Sequence, residues 1–123
     1  MIIGIGVDLV EVARMEQALQ QDGFKEKVFT KEEIAYCEKK GAHKTESYAA
    51  RFAAKEAVGK ALGTGIYKNQ LQDAEIEIDE EGRPKMHIMG QLRVSALIRH
   101  VEKIHVSLSH TATMAMAEVI MEE

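Results

Sequence analysis

Residues 51–65 read RFAAKEAVGKALGTG, and the rest of the chain is organised around this stretch. Its first part is rich in helix-favouring residues, so we predict a helix that ends in the Gly-Thr-Gly turn of residues 63–65. Side chains four residues apart share one helix face, which places Phe52, Glu56 and Lys60 in a row. The glycines of the turn allow the backbone to approach a ligand closely. The pattern indicates either a ligand site or a surface helix with an ordinary Glu–Lys pair and a glycine cap.

Length and composition are typical of a small globular protein, and we expect residues 1–123 to form a single domain. The net charge of -4 argues against a nucleic-acid-binding protein, which would be basic overall. Cys37 is the only cysteine, so an internal disulfide is excluded and a reducing compartment is indicated. Neither a signal peptide nor a run long enough to cross a bilayer is found, so we expect a cytoplasmic protein without a membrane partner.

The order of the predicted elements indicates an α+β fold, with helices packed on a small, mainly antiparallel sheet. Residues 1–7 form an apolar run that ends at Asp8 and is typical of a strand covered on both faces. Gly4 and Gly6 leave room for another element on one side of that strand. Thr30 begins a capping box with the glutamate three residues later. We predict helices over about residues 12–19, 31–40, 47–62 and 90–101, and further strands over about residues 74–79, 85–89, 104–109 and 113–121.

The last predicted strand is apolar on both of its faces. Ala115, Ala117 and Val119 lie on one face, and Met114, Met116 and Ile120 lie on the other. The second face packs either on another subunit or on a second layer of the same chain, and the pattern favours neither.

Asp8 and Glu56 are the carboxylates most suited to metal binding. Mg²⁺ takes few protein oxygens and completes its coordination shell with waters and substrate phosphates. Two carboxylates beside a lysine and a glycine turn therefore suit a metal–diphosphate site. Their separation of 48 residues is not a metal-binding signature, and Asp8 could instead cap the helix that follows it.

A second polar pattern occurs near the end of the chain, where residues 107–110 read SLSH. Hydroxyl groups and a neutral imidazole can form hydrogen bonds with phosphate oxygens or a ribose. A serine hydrolase is disfavoured, because Ser109 and His110 are adjacent and point to opposite faces of a strand. The strained turn that presents a nucleophilic serine is also missing.

Three separated segments of the chain resemble the holo-[acyl-carrier-protein] synthases, the small trimeric bacterial branch of the 4′-phosphopantetheinyl transferases. They are residues 6–11 (GVDLVE), residues 51–65 and residues 107–111 (SLSHT), and the resemblance extends from Met1 to about Val119. It implies transfer of the phosphopantetheine arm of coenzyme A to a serine of apo acyl carrier protein, in fatty acid biosynthesis. Adenosine 3′,5′-bisphosphate would be the other product, and the enzyme would be a homotrimer.

The resemblance also implies roles for the matched residues. Asp8 and Glu56 would bind Mg²⁺ against the coenzyme A diphosphate, and Lys60 would contact the phosphates as a third catalytic residue. Glu56, or a water oriented by Glu56, would take the proton of the attacking serine. Coenzyme A would contact Arg51, Lys60, Gly63, Thr64, Gly65, Ser107, Ser109 and His110, some of them across a subunit boundary. Arg14 and Phe24 would contact the carrier protein.

The sequence is also compatible with two other functions. The chain could be a coenzyme A or nucleotide-binding module that has the same fold without the catalysis, or a metal-dependent phosphohydrolase. The chain also departs from the family after Arg14, where relatives often carry basic residues on the same helix face. It has Gln17, Ala18, Gln21 and Asp22 in that region. This predicts either weaker binding of the carrier protein or binding that depends more on Lys25 and Lys27.

Overall fold

A computed structural model describes all of residues 1–123 and contains five α-helices and five β-strands. In chain order the elements are β1 (Ile2–Glu11), α1 (Val12–Leu19), α2 (Phe24–Val28), α3 (Lys31–Glu38), α4 (Lys44–Leu62), β2 (Ala74–Ile78), β3 (Pro84–Ile88), α5 (Gly90–Ile98), β4 (Lys103–His110) and β5 (Met114–Glu122). Two 3₁₀ segments, Gly41–His43 and Lys68–Asp73, connect some of them. No helix is both long and apolar enough to span a bilayer. The architecture is α+β, as predicted.

The strands form two antiparallel groups. β5 lies at the centre of a three-stranded sheet, between β1 and β4, and β2 and β3 form a separate hairpin. Asp8 of β1 pairs with Ala117 of β5, and Leu108 of β4 pairs with the same alanine from the other side. The register therefore places the beginning and the end of the chain side by side in one sheet.

Helix α4 packs on the inner face of this sheet, and two glycines of β1 make the close approach possible. A Cβ atom at Gly4 would overlap the carbonyl oxygen of Ala61, and one at Gly6 would overlap the carbonyl oxygen of Ala57. Because alanine presents only a methyl group, the two backbones lie nearly in contact. The prediction that Gly4 and Gly6 make room for another element is confirmed, and that element is α4.

A buried ion pair connects α4 to the rest of the helical layer. The Lys55 side chain is 0% exposed, and its Nζ donates to Glu33 Oε1 at 2.8 Å. It also donates to the carbonyl oxygens of Leu71 at 2.8 Å and Ala74 at 2.7 Å. The other carboxylate oxygen of Glu33 accepts from the backbone N–H of Ile76 at 2.9 Å. Burial lowers the pKa of Lys55 and Glu33 opposes that shift, and the three acceptors around Nζ match the three N–H groups of an ammonium.

The outer face of the sheet has no second layer. Its exposed apolar side chains are Ile2, Ile5, Val7 and Leu9 of β1 and Met116 of β5. Glu118, Ser107 and Ser109 lie among them. The prediction that β1 is covered on both faces is therefore wrong for the single chain. Ala115, Ala117 and Val119 on the inner face of β5 are fully buried, whereas Met116 on its outer face is exposed. Of the two interpretations of β5, the second layer within the same chain is therefore wrong.

Several predicted boundaries differ from the observed ones. Strand β1 continues to Glu11, so Asp8 lies inside the strand and does not cap α1. Helix α2 was not predicted, and α4 begins at Lys44, three residues before the predicted start. The capping box at Thr30 is confirmed by hydrogen bonds in both directions with Glu33.

Candidate functional site

Asp8, Lys60 and Glu56 are brought together where β1 crosses α4. Lys60 Nζ donates to Asp8 Oδ1 at 3.1 Å and to the carbonyl oxygen of Val7 at 2.9 Å. The Lys60 side chain is 55% exposed, and that of Asp8 is 19% exposed. A lysine ammonium has three N–H groups, so one remains for a ligand. The predicted Glu–Lys pair on the surface of the helix does not form, because Lys60 reaches across to β1.

The local charge is unbalanced in favour of the carboxylates. The pKa of Glu56 is raised, first because the group is partly buried and second because the negative charge of Asp8 is close, while Lys60 acts in the opposite direction. Two carboxylates and one ammonium leave a net negative charge, which a cation would neutralise.

The donor set fits Mg²⁺. No group of three or more His, Cys, Asp or Glu residues is placed to hold a metal ion, so the protein would supply only the two carboxylates. A magnesium site of this kind keeps several waters and takes further oxygens from substrate phosphates. The closeness of the Asp8 charge to Glu56, which after burial is the second cause of the raised pKa of Glu56, suits a cation held between the two carboxylates.

A cavity of about 480 Å³ opens beside these residues. Its lining residues include Asp8, Glu56, Arg14, Phe24 and Phe52. Phe24 and Phe52 pack with their ring centroids 6.5 Å apart, so the wall between α2 and α4 is aromatic. We call this space the first cavity. It brings together the predicted metal ligands and both of the predicted partner-binding residues.

The turn after α4 is held against the helix that it follows. Gly63 ends the helix with a left-handed φ of 79°, and Gly65 has a φ of 72°. The Gly65 N–H donates to the carbonyl oxygen of Gly59 at 3.0 Å. A Cβ atom at Gly59 would lie 2.5 Å from the backbone carbon of Gly65, so only glycine allows this return. The Gly-Thr-Gly turn thus occupies a fixed position at the end of the helix that carries Lys60.

A second cavity, of about 500 Å³, lies beside the first half of α4, and Arg51 is among its lining residues. Arg51 is only 2% exposed, and its Nη1 donates to the hydroxyl group of Ser47 at 2.9 Å. Its guanidinium carbon lies 4.3 Å from the centre of the Tyr36 ring, and Lys40 Nζ lies 4.7 Å from the same ring. The Nε and Nη2 atoms of Arg51 are buried and have no hydrogen-bond partner. Buried donors without an acceptor are costly, so these atoms are suited to an anionic ligand.

The predicted site residues do not all meet within one chain. His110 lines the second cavity with Arg51, and the two cavities share no lining residue. Ser107 and Ser109 are exposed on the outer face of β4, beside Glu118 and Met116 of β5. The single chain therefore presents the coenzyme A contacts implied by the resemblance in separate places.

Sequence reasoning missed three residues that shape these sites. Tyr36 lies in α3 and Lys40 lies just after it. The stacking of Arg51 on the Tyr36 ring, which Lys40 also contacts, depends on the packing of α3 against α4. Lys55 is the buried residue that fixes α4. One indication was available for Lys55, because it follows a pair of alanines in a stretch of small side chains, where other elements can approach the helix closely.

Comparison with known proteins identifies the family of the chain. Residues 4–117 match the family model of the 4′-phosphopantetheinyl transferase superfamily. A holo-[acyl-carrier-protein] synthase of Treponema denticola is 43% identical over 122 residues, which cover 99% of both chains. A crystal structure of a holo-(acyl-carrier-protein) synthase of Bacillus anthracis in complex with CoA (3′,5′-ADP) is 37% identical, with a TM-score of 0.81 over 98% of this chain and 96% of that chain.

A second solved relative extends the comparison. The holo-[acyl-carrier-protein] synthase of Helicobacter pylori in complex with coenzyme A is 30% identical, with a TM-score of 0.81 over 96% of this chain and 99% of that chain. The family model, the sequence relatives and the solved structures all agree over nearly the whole length of the chain. This chain therefore belongs to the 4′-phosphopantetheinyl transferase superfamily.

Proposed function

We propose that this protein transfers the 4′-phosphopantetheine group of coenzyme A to a serine of apo acyl carrier protein. The products are the holo carrier protein and adenosine 3′,5′-bisphosphate, which places the enzyme in fatty acid biosynthesis. The meeting of Asp8, Glu56 and Lys60 at the first cavity carries this proposal. Relatives that are holo-[acyl-carrier-protein] synthases, two of them solved with coenzyme A or its nucleotide part, support it. The free Cys37 fits the reducing cytoplasm, where we place the reaction.

In the proposed mechanism, Asp8 and Glu56 are the residues that would hold Mg²⁺ beside the diphosphate of coenzyme A. When bound, the ion would supply neutralisation of the negative charge that develops on phosphate oxygens. Lys60 donates its remaining N–H to a phosphate oxygen while its other two stay on Val7 and Asp8. Glu56 accepts the proton of the serine hydroxyl, directly or through one water.

We assign the nucleotide part of coenzyme A to the second cavity and the carrier protein to the first cavity. The unpartnered donors of Arg51, together with His110, Ser107 and Ser109, contact the nucleotide part of coenzyme A. Gly63, Thr64 and Gly65 line its path beyond Lys60. Arg14 and Phe24 also line the first cavity. There Arg14 meets acidic side chains of the carrier protein, and Phe24 adds apolar contact.

We further propose that the active enzyme is a homotrimer in which the first cavity of one copy joins the second cavity of the next. The exposed apolar face of the sheet supports this assembly, because a face with Ile5, Val7 and Leu9 in water is costly. Ser107 and Ser109 lie on that face, so another copy that covers it would receive them as site residues.

The mass of the carrier protein tests the reaction. Protein, Mg²⁺, coenzyme A and an apo carrier protein are expected to yield a carrier that is heavier by one phosphopantetheine. Coenzyme A binding without this mass change would indicate the non-catalytic module. Coenzyme A breakdown in the absence of the carrier would indicate the phosphohydrolase.

The assembly makes a separate prediction about mixed subunits. Asp8→Ala is expected to be inactive alone, and His110→Ala is expected to be slow at low coenzyme A concentration. Subunits of both kinds that are unfolded and refolded together should regain activity under the same conditions. If each site takes one residue from each of two copies, random mixing restores about a quarter of the wild-type rate. The unmixed variants at the same total concentration serve as controls. No recovery in mixtures whose sedimentation shows three chains would contradict sites shared between copies.

A further inference from the structure

A carboxylate behind the second cavity joins two of its histidines. Glu46 Oε2 lies 3.2 Å from His43 Nδ1 and 3.6 Å from His110 Nδ1. The Glu46 side chain is 17% exposed, whereas those of His43 and His110 are 76% and 49% exposed and line the cavity. His43, which directly precedes α4, and His110, at the end of β4, thus approach the same oxygen atom of Glu46.

The chemistry of this contact determines which nitrogen faces the ligand. An ionised carboxylate only accepts hydrogen bonds, so a ring nitrogen that contacts it must carry the proton. With Nδ1–H directed at Glu46, the Nε2 atom on the far side of the ring is left for the cavity. That atom accepts a hydrogen bond when the ring is neutral and donates one when the ring is doubly protonated.

The other residues that line the second cavity show why the protonation of the His110 ring affects ligand binding. Its other ionisable side chains are Tyr36, Lys40 and Arg51, and the β2–β3 hairpin contributes only the uncharged Ile78, Gly82 and Pro84. Lysine and arginine can only donate. They suit phosphate oxygens, but a ribose hydroxyl also needs an acceptor. The hydroxyl oxygens of Tyr36 and Ser47 can accept, and that of Ser47 already accepts from Arg51. A neutral His110 with its proton on Nδ1 provides a further acceptor.

We propose that Glu46 is a positioning residue, which fixes the tautomer and orientation of His110 so that Nε2 meets the phosphorylated ribose of the nucleotide. This inference rests on the proposed function of the second cavity. The 3.2 Å contact with His43 keeps the carboxylate on the cavity side of α4. The 3.6 Å separation from His110 is longer than a hydrogen bond, and such contacts commonly shorten when the ligand binds.

Long-range ¹H–¹⁵N spectra of the histidine rings test the proposal directly. At a pH where His110 is neutral, its proton is expected on Nδ1 in the wild type and on Nε2 in Glu46→Ala. The KM for coenzyme A is expected to rise about three- to tenfold in Glu46→Ala, the effect of one lost hydrogen bond. The kcat should stay within about twofold, because the reacting groups at the first cavity are unchanged.

Two further variants separate positioning from a general effect of charge or stability. Glu46→Gln keeps an oxygen that can accept from Nδ1–H, so it should restore the wild-type tautomer and most of the KM. Glu16→Ala removes an exposed carboxylate from α1 and should change neither quantity. An unchanged His110 tautomer in Glu46→Ala would overturn the inference, and so would an unchanged KM with an altered tautomer. If the wild type fails to modify the carrier protein, the proposed function fails, while the tautomer measurement still decides whether Glu46 orients His110.

Discussion

Asp8→Ala is expected to reduce phosphopantetheine transfer by about 10²- to 10³-fold while the fold is retained. The substitution removes one of the two carboxylates proposed to hold Mg²⁺, and it also removes the acceptor that Lys60 contacts at 3.1 Å. The fold should survive because the side chain of Asp8 is 19% exposed and caps no helix. The rate is measured by the mass of the carrier protein, and the fold by circular dichroism.

A matched variant distinguishes loss of the site from loss of any acidic residue. Glu102→Ala removes an exposed carboxylate from the connection between α5 and β4 and should transfer at the wild-type rate. Binding of Mg²⁺ provides a second measurement, because calorimetry with coenzyme A should detect the ion in the wild type and not in Asp8→Ala. A fully active Asp8→Ala would exclude Asp8 from the catalytic site.

Lys55→Met is expected to lower the free energy of unfolding by about 3–5 kcal/mol, the range for breaking a buried ion pair from one side. Methionine fills much of the same volume but leaves the fully buried carboxylate of Glu33 without its cation. The carbonyl oxygens of Leu71 and Ala74 lose their donor as well. Urea unfolding followed by circular dichroism measures the change, at one fixed protein concentration because an oligomer's stability depends on it.

Lys60→Met is the natural control, because it removes a lysine one turn or so further along the same helix. The Lys60 side chain is 55% exposed, so its contact with Asp8 should contribute less than about 1 kcal/mol to stability. Lys60→Met should therefore unfold like the wild type and lose activity, the reverse of a purely structural defect. A Lys55→Met variant within about 1 kcal/mol of the wild type would show that the buried pair is dispensable.

Local patterns predicted the elements that have strong periodicity or defined end signals. The capping box at Thr30, the β2–β3 hairpin and the alanine-rich α4 with its glycine cap were all found close to their predicted positions. The α+β class followed from the order of these elements. Helix α2 was missed because its five residues are too few to show a helical period.

The parts that sequence could not give depend on contacts between distant residues. Arg51 and Lys55 are charged and would be expected on the surface, yet both are buried, because alanines let other elements approach α4 on most sides. The family resemblance implied that Asp8 and Lys60 belong to one site. The structure shows the physical basis of their contact, which is the close packing of β1 on α4. The outer face of β1 was misjudged because an apolar side chain does not reveal whether its own chain or another one covers it.

The near contact between β1 and α4 also has a consequence for how the gene can vary. Every amino-acid replacement that a single base change can make in a glycine codon adds at least a Cβ atom, and at Gly4 and Gly6 that atom meets the backbone of Ala61 or Ala57. Separating the strand from the helix would carry Asp8 away from Lys60 without altering either side chain. A screen of random variants for lost activity should therefore recover these two glycines alongside the acidic residues, although neither glycine has a side chain that could touch a substrate.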